Sequence, residues 1–166
     1  LLKNKNDEIK YSITKKKDVY NFLSNLKVKK NPVKLDFFDY EKNEENILNF
    51  SLEGFKRLND QINLNLVSLD DKKNKIKIKN LVFNKEKKII DLENLSINLI
   101  DENDRINKFD ITKKNNNYYL KGPVFNADRL IKIFLIDEDN QSKILEKSFK
   151  IFLKFEKIIL ENKLSL

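Results

Sequence analysis

The sequence predicts a mainly β protein: a twisted or curled antiparallel meander, open like a groove, with one or two short helices. Three observations carry this. Large apolar residues recur at every second position through most of the chain, the pattern of strands with one apolar and one polar face. About nine such segments start at intervals of roughly a dozen residues, as in a meander. The segments between them are short and polar, and glycine and proline number only two each in 166 residues, so asparagine and aspartate must make the turns.

The elements follow in order. Ile9, Tyr11 and Ile13 alternate as a first strand. The segment DVYNFLSNL (18–26) reads as a helix, with Asp18 as N-cap and Val19, Phe22, Leu23 and Leu26 on one face. Val33, Leu35 and Phe37 return to period two. Phe50 and Leu52 follow Leu48 in the same phase, then Ile62, Leu64 and Leu66. KIKIK (75–79) places Ile76 and Ile78 against lysines, and LSINL (95–99) places Leu95, Ile97 and Leu99 against serine and asparagine. Leu81 follows Ile78 by three, which predicts a bulge or twist at Asn80.

The stretch YYLKGPVFNADRLIKIFLID (118–137) holds one of the two glycines and one of the two prolines. Gly122 and Pro123 are expected to end a strand there, because proline cannot donate to a ladder. Asn126 then caps a short helix over about 126–136, with Leu130, Ile131 and Phe134 on its apolar stripe as a plug for one end of the sheet. DEDNQ (137–141) breaks that pattern, and Phe149, Ile151, Leu153 and Phe155 form a last strand.

Composition narrows the chemistry. The chain has no His and no Cys, so it lacks the commonest general base, the commonest transition-metal ligand and any thiolate. No nucleophile, base and orienting group assemble on a convincing spacing, which argues against an enzyme. DEDNQS lacks the glycine and the distal glutamate of a calcium loop. The net charge of +8 invites an anionic partner. Lysine, however, outnumbers arginine 31 to 3 and runs with 24 asparagines and 19 isoleucines, a bias of AT-rich codons. The lysines are spread along the chain among acids, without the arginine and stacked aromatics of a nucleic-acid surface. They fit better as solvent-face and edge residues that guard a sheet against edge-to-edge pairing.

The string Leu120-Lys121-Gly122-Pro123-Val124-Phe125-Asn126-Ala127-Asp128-Arg129-Leu130, a charged gap, and then Phe149 to Ile158 resembles a pattern of the large AsmA-like proteins of Gram-negative bacteria. SLEGFKRL (51–58), KIKIKNLVF (75–83) and KIIDLENLSINL (88–99) resemble that family's strand-after-strand texture. Asn126 stands where the family pattern has aspartate, which keeps a capping residue. The resemblance implies a long protein anchored in the inner membrane by an N-terminal helix. Its curved sheet would span the periplasm and move phospholipid toward the outer membrane, with no cofactor and no catalytic residue.

On this reading the whole chain, 1–166, is one β-rich internal segment of a longer repetitive protein, as its opening on Leu1-Leu2 and its stop at Leu166 suggest. The apolar strand faces line a groove for acyl chains: Phe50, Leu52, Ile62, Leu64, Leu66, Ile76, Ile78, Leu95, Ile97, Leu99, Phe149, Ile151, Leu153 and Phe155. The partners are phospholipid tails and, through parts of the parent outside this sequence, a membrane; nucleic acid is not among them. Periodicity alone leaves open a structural β-sandwich of an adhesin or envelope domain, in which the same faces meet in a closed core without ligand.

Overall fold

Turn chemistry sets the topology. In the computed structural model every residue with positive φ among those described is Lys, Asn or Asp, and neither glycine is one of them. The model describes residues 7–35, 40–42, 45–57, 61–100, 104–127 and 150–160. Lys17 (φ 54°) turns β1 (Glu8–Lys16) into β2 (Val19–Val28), and Asn115 and Asn116 (φ 49° and 62°) turn β9 (Ile106–Lys114) into β10 (Asn117–Asn126). Two left-handed residues at the centre of a two-residue hairpin match the right-handed twist of the strands, and asparagine tolerates that conformation well. Between these hairpins lie β3 (Lys34–Leu35), β4 (Tyr40–Glu41), β5 (Leu48–Arg57), β6 (Ile62–Asp70), β7 (Lys75–Phe83) and β8 (Ile89–Ile100); β11 (Ile151–Ile159) comes last.

Nine strands form one sheet in the order β1-β2-β5-β6-β7-β8-β9-β10-β11, and β3 and β4 pair as a separate ribbon. Neighbours up to β10 run antiparallel, while β11 lies parallel to β10, from Tyr118 beside Ile151 to Asn126 beside Ile159. A parallel neighbour needs a long crossover, and the segment from Ala127 to Lys150 is long enough to supply it. The sheet is not closed: β1 and β11 are its two edges. Among the described residues no helix occurs, and the ribbon is the only second sheet.

The fold class matches the expectation, with two local corrections. Residues 18–26 are not a helix but most of β2, laddered along its length to β1 on one side and β5 on the other. The apolar spacing fits both structures, but a strand with two partners satisfies every backbone group and turns Phe22, Leu26 and Val28 to one face. Leu23, counted on the helical stripe, is 43% exposed on the other face.

Gly122 and Pro123 do not end a strand. Lys121 pairs with Asp110 and Val124 with Lys108, so two residues of β10 stand opposite the single Phe109 of β9, and pairing resumes beyond. This is a β-bulge, the interior strand position where proline is tolerated because one residue leaves the ladder. Asn126 is the last residue of β10, and the Ala127 N–H donates to the Ile159 carbonyl at 3.0 Å. The rest of the expected helix, with Leu130, Ile131 and Phe134, lies outside the described residues, as do Phe37 and Phe149.

The phase shift expected at Asn80 is present. Asn80 takes φ 51°, and the buried positions of β7 change from Ile76 to Leu81 across it. On β6 the register with β5 slips at the same level: Glu53 faces Leu66 but Gly54 faces Leu64, leaving Asn65 unopposed.

Candidate functional site: the apolar face

Cross-strand register turns the period-two pattern into rows that run across the sheet. One row contains Tyr11, Ser24, Leu52, Val67, Ile78, Leu95, Ile111, Leu120 and Leu153, one residue from each of the nine strands. Eight of the nine are apolar or aromatic. The neighbouring row, one residue along each strand and so on the opposite face, contains Lys10, Asn25, Ser51, Ser68, Lys77, Ser96, Asp110, Lys121 and Lys154. Every member of it is polar. Directly opposed side chains are the unit of sheet stabilisation, and between these two rows apolar and polar residues segregate by face, with Ser24 as the exception. At the usual inter-strand spacing the apolar row is roughly 38 Å long.

A second apolar row lies two residues away: Ile9, Leu26, Phe50, Leu69, Ile76, Ile97 and Phe109. Its middle is closed, with Leu69, Ile76, Ile97 and Phe109 buried; in the first row Leu95 and Leu120 are buried as well, while Leu52, Val67, Ile78 and Ile111 are half-buried. Where that second row meets the bulge of β10, Phe109, Phe125 and Phe155 come together. Phe109 meets Phe125 edge-on at 5.2 Å between ring centres and Phe155 at 6.1 Å, and Phe125 stacks on Phe155 at 4.9 Å. Gly122 makes the cluster possible: a Cβ there would lie 2.6 Å from the Phe109 Cα and 2.3 Å from the Lys108 carbonyl oxygen.

Val33, Leu35 and Tyr40 pack into the same cluster as Val28, Leu48 and Leu69. The ribbon is held by a buried polar knot at the β6–β7 turn. Asp71 is wholly buried, and its carboxylate accepts from the Tyr40 hydroxyl at 2.9 Å, the Asn74 N–H at 2.7 Å, the Lys73 N–H at 3.1 Å and the Asn74 amide at 3.3 Å. Asn74 in turn accepts from the Ile100 N–H at 2.7 Å. Burial, with the Asp71 hydrogen bond and charge added, pushes the Tyr40 phenol far above its ordinary range. At the neighbouring corner, burial works against the charge of Asp7, but the N–H groups of Lys29 and Lys30 and the Asn31 amide outweigh it and hold the carboxyl below its ordinary value.

Of the residues expected to line a groove, the structure brings Phe50, Leu52, Ile76, Ile78, Leu95, Ile97, Leu99, Leu153 and Phe155 to the apolar face, in the two rows or packed with them. Ile151 stands beside Tyr118 in phase with Leu153, two residues on. Leu64 faces Gly54 and Leu81 beyond the bulge, and Ile62 faces Lys56 and Phe83 near the strand end. Leu66 is on the other side of the sheet, between Glu53 and Lys79; Val67 and Leu69 take the apolar face of β6 instead. Phe109, Ile111, Phe125, Tyr40 and Val67 were not picked out by periodicity. Phe109 and Ile111 do alternate within NKFDIT, a signal that was there to read.

At the sheet's edges the apolar face is open. Ile9, Tyr11 and Ile13 of β1 are 52%, 72% and 66% exposed, and Leu153 of β11 is 56% exposed. Among the described residues no group of three or more acidic side chains is placed to hold a metal ion. The fold defines a class, an open amphipathic β-sheet with one continuous apolar face. Comparison with protein-family models, curated proteins and solved structures gives no match.

Proposed function

We propose that this chain is a segment of a bridge-like lipid-transfer protein of the AsmA-like kind, whose apolar face carries phospholipid acyl chains across the periplasm between inner and outer membrane. The observation that supports the reading is the apolar row from Tyr11 to Leu153. It crosses every strand of an open sheet, with an all-polar row behind it. Its length of roughly 38 Å exceeds the hydrocarbon thickness of a bilayer, about 30 Å. A tail lying along it meets Leu, Ile and Val side chains from β5 to β11, with Ser24 and Tyr11 toward the β1 edge. At about 0.8 kcal/mol per buried CH₂ it gains on the order of ten kcal/mol, while its head group stays in water at the strand ends.

The mechanism is passive. Tails slide across the strands, no side chain does chemistry, and no single contact dominates. Direction comes from a gradient or from partners at the ends of the parent protein.

The test places a charge in the row at a position the fold tolerates. Leu153 is more than half exposed on an edge strand, so Leu153→Asp should fold as the parent does. A carboxylate on the tail's path is costly to desolvate, so lipid co-purifying with the protein, measured by mass spectrometry, should fall several-fold. Leu153→Ala and the opposite-face change Lys154→Asp should leave it unchanged. Equal lipid retention in all three variants would rule the reading out.

A further inference from the structure

We propose that one rim of the sheet, where its hairpins turn, is the headgroup side of the apolar face: a line of lysines that receives the phosphate of a phospholipid and selects lipids of net negative charge. The inference rests on the lipid-transfer reading and adds to it the class of lipid and the side on which its head lies.

The topology gathers charges that the sequence scatters. The pairs β1–β2, β5–β6, β7–β8 and β9–β10 all turn at one rim. Because β11 is parallel to β10, it begins there too, where the Tyr118 N–H donates to the Lys150 carbonyl at 2.9 Å. This rim carries KKKD (15–18), KR (56–57), KEKK (85–88), KK (113–114) and Lys150, and the sequence adds one acid, Asp60, between β5 and β6. Every basic residue in these stretches except Lys113 is exposed. Among the described residues Lys113 is also the only one of them in an ion pair, with Asp91 at 2.6 Å. At the other rim acids stand among the lysines. β1 enters on Asp7 and Glu8, and Glu8 accepts from the Lys29 ammonium at 2.6 Å. The β6–β7 turn reads DDKKNK (70–75), with Asp70 on Lys75 at 3.1 Å, and Asp104 precedes β9. A phosphate there meets carboxylates; at the hairpin rim it meets ammonium groups.

The basic rim and the apolar row cross the same nine strands, so one accompanies the other along its length. They come nearest at β10 and β11. Leu120 and Leu153 of the row stand three residues from Asn117 and Lys150, about 10 Å along the strand. A tail seated there has its head beside Lys114 and Lys150. Lysine meets phosphate as a point charge, without the bidentate clamp of arginine, so a head can pass from one turn to the next. A zwitterionic head gains less, because its own ammonium is repelled by the same lysines.

The test incubates lipid-free protein with vesicles of equal parts phosphatidylglycerol and phosphatidylethanolamine and measures the lipid it retains by mass spectrometry. The parent should enrich phosphatidylglycerol several-fold over the vesicle composition. Lys114→Glu combined with Lys150→Glu should abolish the enrichment while total retained lipid stays near the parental amount, because the tails still hold it. The same change of charge at the other rim, Lys73→Glu combined with Lys108→Glu, should alter neither quantity. All four lysines are exposed, so both double variants should fold as the parent does. Enrichment that is absent in the parent, survives in the first variant or falls equally in both overturns the proposal and leaves the lipid-transfer reading standing. No lipid on any of the three proteins defeats that reading and the proposal with it.

Discussion

The ring of Phe22 on β2 lies over Gly54 on β5. A Cβ added at Gly54 would sit 2.9 Å from the Phe22 Cζ and 2.3 Å from the Asn63 carbonyl oxygen on the next strand. Gly54 is needed for room and not for a left-handed backbone, since its φ is not positive. It stands where the β5–β6 register slips, and the ring covers the exposed backbone that a glycine leaves in a strand.

Gly54→Ala should therefore lower stability by about 1–3 kcal/mol, the usual cost of overpacking. Removing the ring with Phe22→Ala should not restore it, because the Asn63 oxygen remains in the way. Urea denaturation of the two single variants and the double variant measures this. A neutral Gly54→Ala would show that the strands are not so close.

The phenylalanine cluster around Gly122 should divide by burial. Phe109 and Phe125 are 7% and 6% exposed, so truncation to alanine should cost about 3–5 kcal/mol each. Phe152 stacks on Tyr119 on the polar face, 4.8 Å between ring centres, but is 46% exposed; Phe152→Ala should cost about 1 kcal/mol. Equal losses at Phe109 and Phe152 would mean that the faces are assigned wrongly.

Alkaline titration should single out Tyr40. Its folded pKa is raised, so the neutral phenol is favoured by the folded state. The stability this confers is complete below the unfolded value of 10.0 and is lost as pH rises toward the folded one. Of the five tyrosines, followed by phenolate absorbance, one should ionise last, and that late step should vanish in Tyr40→Phe. A late step that persists in the variant would place the buried phenol elsewhere.

The amphipathic sheet was legible in the sequence because period two survives wherever a strand is regular. KIKIK and LSINL gave the correct residues of the apolar face, and the step of three from Ile78 to Leu81 correctly marked Asn80. What failed was local. Helical spacing over 18–26 fitted as well as alternation, and only the two flanking strands decide between them. Ile62, Leu64 and Leu66 alternate regularly in sequence, yet a bulge at Asn65 carries Leu66 to the opposite face. Gly122-Pro123 read as a strand end because a bulge and a terminus share the same residues; the Phe109 opposite them is distant in sequence. The Tyr40–Asp71 knot joins residues 31 apart with no periodic signal. The open face itself depends on what does or does not pack against it, which no single strand encodes.

The central claim is that lipid tails lie on one face of this sheet and not on the other. Neighbouring positions on β7 separate the two faces with the least change of context: Ile78 is in the apolar row between Val67 and Leu95, and Lys77 is in the polar row between Ser68 and Ser96. A photoreactive residue at each, irradiated in cells, reports what touches it. The account predicts phospholipid adducts from position 78 and none from position 77. Equal capture at both, or capture from 77 alone, would contradict it.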